Sequence, residues 1–160
     1  MSHTFDPTAF VQAVSLLEST STIRQPVAVG EYPATVEGWS AETWQTATGD
    51  KTGLKLVVTW TIDSEEVKRH MQRQKVICRQ QIFLDLNETT DGLATGPGQN
   101  IGLGLLRQGL SLNQPGREFK LDDIVGHSGT VMVTHRPGKD GRVYDEVSRV
   151  VQPTDSIPVY

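Results

Sequence analysis

Apolar and polar residues alternate most cleanly in two stretches of the chain. Over residues 54–62, Leu54, Leu56, Val58, Trp60 and Ile62 share one face, against Lys55, Val57, Thr59 and Thr61. Over 76–86, Cys78, Gln80, Ile82, Leu84 and Leu86 oppose Ile77, Arg79, Gln81, Phe83 and Asp85. A period of two is that of a strand with one buried face. Three weaker strands accompany them. Val27 to Trp39 carries the β-formers Val27, Val29, Tyr32, Thr35 and Val36, with Gly30 and Pro33 marking a bend or an edge. Thr130 to Arg136 and Arg142 to Val151 flank the turn Pro137-Gly138-Lys139-Asp140-Gly141. Residues 40–53 read as a loop.

Helical spacing occurs twice. Over residues 5–19, Asp6 suits the N-cap and Pro7 the first helical position. Phe10, Val11, Val14, Leu17 and, more loosely, Leu16 form its stripe, and a polar link follows at 19–22. The second helix follows a Gly-rich turn over 87–98. It starts at Asn100 and runs to about Leu110, with Ile101, Leu105, Leu106 and Leu110 on one face. Gly102 and Gly104 each weaken it by about 1 kcal/mol relative to alanine, a cost that points to close packing.

Strand, strand, strand, helix, strand, strand is the order of a five-stranded OB-fold barrel. The expected fold is therefore mostly β, with a helix between strands 3 and 4 and an N-terminal helical extension. It divides the chain into 1–26 (helix and linker), 27–151 (barrel) and 152–160 (tail). The rival is an antiparallel sheet with the helix on one face, because periodicity does not report closure.

Composition narrows the function. The 160 residues are 36% hydrophobic and 21% charged, enough for one modest core. No run approaches a membrane span. The start, MSHTFDPTAF, lacks the basic and apolar regions of a secretory signal, so the cytoplasm is the expected compartment and no membrane partner is expected. The lone Cys78 excludes an intrachain disulfide and a multi-cysteine zinc site, and its strand position makes it a small core residue. A net charge of −4 argues against a uniformly basic coat but is compatible with a local basic groove.

Catalytic patterns are absent from the sequence. His3, His70, His127 and His135 are scattered, with His70 read as a solvated loop residue and His135 as outward-facing on a strand. The segment Gly98 to Gly104 lacks the Lys-Ser/Thr pair of a phosphate-binding loop. Asp85, Glu88, Asp91, Asp122 and Asp123 spread over three elements, the pattern of ordinary solvated charge. No enzyme activity, metal or cofactor is expected. A metal-dependent nuclease using Asp85 or Glu88 ranks third among the readings.

Binding patterns are stronger. Lys68, Arg69, His70, Arg73, Lys75 and Arg79 follow one another without an intervening acid. His135, Arg136, Lys139 and Arg142 cluster at the last hairpin beside Tyr144. A charge run is usually only a solvated face. Here the two runs fall on connections that border the ligand groove of an OB barrel. The expected partner is single-stranded DNA. Lys51, Lys55, Arg69, Arg73, Lys75, Arg79, Arg136, Lys139 and Arg142 would neutralise phosphates, and Trp39, Phe83 and Tyr144 would stack bases. Tyr32 and Trp44 are further ring candidates, and Trp60 is read as core. The alternative is a non-enzymatic module that binds a protein partner through helix 5–19. Either reading is compatible with a homo-oligomer.

Several short motifs carry a family resemblance. They are Gly30-Glu31-Tyr32-Pro33-Ala34-Thr35-Val36, Gly53-Leu54-Lys55-Leu56, Trp60-Thr61-Ile62 and Gln81-Ile82-Phe83-Leu84. The Leu-rich segment 101–110, Gly126 with Val131-Met132-Val133, and Tyr144-Asp145-Glu146-Val147 complete the set. Across residues 27–151 the chain resembles small phage proteins regarded as OB-fold single-stranded DNA-binding proteins. The resemblance implies coating of exposed strands and recruitment of partners in phage genome replication or recombination. It supplies no agreed set of binding residues. The tail, with Asp155, Ile157, Pro158 and Tyr160, resembles the Pro-containing, aromatic-ended tips that dock such proteins onto replication partners.

Overall fold

The computed structural model describes residues 5–14, 25–87 and 92–152. The strands are β1 (Gly30–Gln45), β2 (Thr52–Ile62), β3 (Ile77–Leu84), β4 (Leu86–Asn87), β5 (Gly92–Leu93), β6 (Ser128–Pro137) and β7 (Val143–Val150). The α-helices are α1 (Pro7–Val14), α2 (Glu65–Met71) and α3 (Ile101–Gly109), and a 3₁₀ turn spans Leu121–Ile124. Five strands form one antiparallel sheet in the order β3-β2-β1-β6-β7, and β4 and β5 form a separate small ladder. The chain is thus mostly β, as expected.

β1 serves two partners. Its first part, Gly30 to Thr35, pairs with β6, and from Ala34 to Gln45 it pairs with β2. The register shifts between Val36 and Gly38, where an extra residue bends the strand. The ladder ends at β3 and β7, so the closed barrel expected from the element order is not drawn by strand hydrogen bonds. These two edges nevertheless lie beside each other, with Cα atoms within 8 Å. α3 packs against both: Gly102 stands against Ile82 of β3, and Gly109 against Val150 of β7.

The core follows the alternation. Leu56, Val58, Trp60 and Ile62 of β2 and Cys78 and Ile82 of β3 are buried, with Ala34, Val36, Val131, Val133, Val147 and Val150 from the other strands. Trp60 and Cys78 are core residues, as the sequence indicates. α3 differs in phase. Leu103, Leu106 and Leu110 face inward, whereas Ile101 and Leu105 of the expected stripe are exposed. A helix with Leu at 103, 105 and 106 offers two overlapping apolar stripes, and the Gly102 contact with Ile82 selects the inner one.

Other boundaries also move. β1 begins at Gly30 instead of Val27 and runs on through 40–45, which read as loop. Val27 is buried but held by side chains. Its N–H donates to Asp145 Oδ2 at 2.7 Å, and its carbonyl lies 2.6 Å from His135 Nε2. His135 is therefore engaged and not merely outward-facing. The basic connection 65–71 is helix α2. Ser64 Oγ accepts the Val67 N–H, and Gln72 closes the helix in the left-handed conformation. Glu65 and Glu66 occupy its first turn and Lys68, Arg69 and His70 its last, which matches the helix dipole. In α1, Asp6 Oδ1 accepts the Thr8 and Ala9 N–H groups, as its N-cap position predicts. Phe5, Phe10 and Val11 are exposed, so this helix does not use them to pack on the sheet. Helix residues 15–19, and the linker to Arg24, lie outside the described residues.

Gly109→Ala tests the α3 contact. Alanine favours the helix by about 1 kcal/mol. Its Cβ, however, would stand 2.3 Å from Val150 Cγ1, and the stiff β-branched side chain yields poorly. Overpacking of this kind costs about 1–3 kcal/mol and wins. Thermal unfolding should show a lowered Tm. A raised Tm would mean that α3 is free to lift from β7.

Candidate nucleic-acid interface

The outer face of β1, β2 and β3 carries the most suggestive group of side chains. Ladder pairing fixes their rows: Phe83 with Lys55 and Glu42, Gln81 with Val57 and Ser40, Arg79 with Thr59 and Gly38. Trp44 lies one row further out, opposite Gly53. A Cβ on Gly53 would fall 2.5 Å from the Trp44 indole nitrogen, so the missing side chain is what lets the indole lie on β2. Phe83 meets Trp44 edge to face at 5.7 Å and is itself exposed. Trp44 Nε1 is buried there without a hydrogen-bond partner.

Charge on this face is partly compensated. Lys55 Nζ lies 3.7 Å from Glu42 and 3.4 Å from Gln81 Oε1. Lys75, just before β3, is hydrogen-bonded to Glu37, and this bond holds the Glu37 carboxyl below its ordinary range. Arg79 has no carboxylate partner among the described residues.

The remaining expected ligands fall elsewhere. Lys51 is exposed in the β1–β2 turn, at the end of the sheet away from α2. Arg69 on α2 and Arg73 beyond it border a shallow hollow with Lys68. The β6–β7 hairpin brings Arg136, Lys139, Arg142 and Tyr144 together beyond the start of β1. There Arg136 pairs with Glu146 at 3.3 Å and Arg142 with Asp140 at 3.9 Å. The Tyr144 hydroxyl donates to Asp140 at 2.5 Å, which lowers the acid's pKa and raises the phenol's. The expected residues thus form three groups: the sheet face, α2 and the hairpin tip. Asp155, Ile157, Pro158 and Tyr160 lie outside the described residues.

Trp39 requires a correction as a stacking ring. It pairs with Val58 on the inner side of β1, packs against the core, and donates Nε1–H to Asp122 at 3.0 Å. The ring that joins Phe83 is Trp44, one of the further ring candidates. The readable signal was a tryptophan one short turn before a glycine at the start of a strand, a pairing in which an aromatic covers a cross-strand glycine.

The acids of the metal reading have structural work. Asp85 Oδ2 accepts the Asn100 N–H at 2.7 Å, and Asn100 Oδ1 accepts the Asp85 N–H at 2.8 Å. Asn100 Nδ2 also donates to the carbonyls of Asp85 and Ala94. Asn100 therefore staples the end of β3 to the start of α3 instead of capping the helix with its side chain. Asp123 accepts the Lys120 N–H at the 3₁₀ turn. Among the described residues no group of three His, Cys, Asp or Glu side chains is arranged to hold a metal. Glu88 and Asp91 lie outside them.

No protein-family model matches the chain, and no curated protein matches its sequence. Among the described residues no helix is long and apolar enough to cross a membrane.

Proposed function

We propose that the protein binds single-stranded DNA across the outer face of β1, β2 and β3, on a sheet that curls as an OB-type barrel. One observation carries this reading: an exposed Phe83 braced by Trp44 shares a strand face with Lys55 and Arg79. Rings accept bases of any identity, and the flanking cations take the phosphates between them. The adjacency of β3 and β7, bridged by α3, supports the barrel. Arg69, Arg73 and Lys139, which have no carboxylate partner among the described residues, would act on incoming strand at longer range, while Arg136 and Arg142 are already paired with Glu146 and Asp140. The resemblance assigns this activity to phage genome replication or recombination inside a host cell, and the reading needs no catalytic residue.

Fluorescence titration with oligo-dT tests it. Binding should quench the indole emission. The affinity should fall linearly in log–log form with salt, by about 0.7 for each phosphate neutralised. Absence of binding at low salt would end the proposal. Exposed Phe10 and Val11 on α1, with exposed Phe5 just before it, favour a second reading, docking of a protein partner. Under that reading, removal of α1 would abolish partner capture, and changes on the sheet face would not.

A further inference from the structure

A second site lies away from the sheet face and shares no residue with it. A cavity of about 450 Å³ opens between the first turns of α3, the segment after β5 and the stretch before the 3₁₀ turn. Its walls are apolar, with Leu93, Leu103, Phe119 and Leu121 among them, and two arginines line it, Arg107 and Arg117. Among the described residues no acidic one does.

Arg107 is held in an unusual state, and Arg117 is exposed at the cavity's edge. The Arg107 guanidinium sits 4.1 Å over the Phe119 ring, and its Nη2 donates to the Leu112 carbonyl at 3.3 Å. Its Nε is buried with no hydrogen-bond partner. Arg117 Nη1 donates to Gln114 Oε1 at 3.4 Å. Neither guanidinium meets a carboxylate among the described residues. Other cations without a carboxylate among the described residues, such as Arg69, Arg73 and Arg79, are exposed, whereas Arg107 is half-buried. A partly desolvated guanidinium left without a counter-charge is costly unless something supplies one.

We propose that this cavity is a binding site for a small organic anion, an oxyanion head on an apolar ring or chain. The planar donor forks of Arg107 and Arg117 match the oxygens of a carboxylate or a phosphate. Phe119 and the leucines take the apolar body, and Thr95 and Gln99 supply neutral polar groups at the rim. The site stands apart from the proposed DNA-binding face, and its test does not depend on that reading.

The experiment is a ¹H–¹⁵N NMR titration of the full chain with benzoate, phenyl phosphate, inorganic phosphate and benzyl alcohol. Benzoate or phenyl phosphate should shift the amides of Leu103, Gly104 and Phe119, and whichever binds more tightly identifies the head group. Benzyl alcohol and inorganic phosphate should each bind at least about tenfold more weakly than the better of the two, because each lacks one half of the recognition. Arg117→Gln, at an exposed position, should weaken binding by about tenfold or more with the spectrum otherwise intact, and Arg107→Gln by at least as much. Equal binding of benzyl alcohol, equal binding of inorganic phosphate, undiminished binding by the Arg117 variant, or no shift with any probe would each overturn the proposal.

Discussion

Trp60→Ala is expected to leave the protein largely unfolded. Trp60 is fully buried at the centre of β2, and its Nε1 donates to Gln80 Oε1 at 3.0 Å. Removing a large buried ring costs about 3–5 kcal/mol. The same change orphans the Gln80 carbonyl oxygen on a residue only 6% exposed, which costs about 1–3 kcal/mol more. Domains of this kind hold about 5–15 kcal/mol in all, so the sum consumes a large part of it. Urea titration followed by far-UV circular dichroism gives the measurement. Trp60→Phe separates the two contributions: the ring stays, the donor goes, and the loss should shrink to about 1–3 kcal/mol. Adding Gln80→Leu to Trp60→Phe should recover part of that loss. A Trp60→Ala protein that melts near the parent midpoint would show that the core does not close around this indole.

The Trp60–Gln80 pair also shows what the sequence could reveal. The alternation over β2 and β3 was legible because one face of each is buried while the other meets solvent. Gln80 stood out on the inward face, among Cys78 and Ile82. Its reason, a hydrogen bond to a tryptophan diagonal to it across the ladder, lies in the register, which alternation does not encode. The far half of β1 was illegible for the opposite reason. From Ser40 to Gln45 only Trp44 is even partly buried, so no apolar period marks the strand. That half is held by its pairing with β2, a non-local cause. α2 was missed because its few apolar residues, Val67 and Met71, are half-buried and its charges dominate the string. The site inherits these limits. Phe83, Lys55 and Arg79 were found because they oppose a clear apolar stripe. Trp39 and Trp44 cannot be told apart from sequence because they stand beside or within a stretch that reads as loop, where inward and outward have no meaning.

Two opposite changes on the sheet face should separate stacking from charge. Phe83→Ala removes an exposed ring that carries no charge. Base–aromatic stacking is worth about 1–3 kcal/mol per base, so oligo-dT affinity should fall by about 5- to 150-fold. The salt slope should not change, because the same phosphates are still neutralised. Glu37→Gln with Glu42→Gln works the other way. In the parent, Lys75 and Lys55 are already paired with these carboxylates. A phosphate that takes either lysine strands an acid, which must gather a cation from solution and so cancels the counterion released by the DNA. With both acids neutral, affinity should rise at low salt and the slope should steepen by up to about 0.7 for each lysine freed. The surface pairs lost are of small worth to the fold, so stability should move little. A protein whose DNA affinity ignores both the ring and the acids binds DNA, if at all, through α2 or the hairpin tip, where Arg73→Ala and Arg142→Ala would then carry the loss.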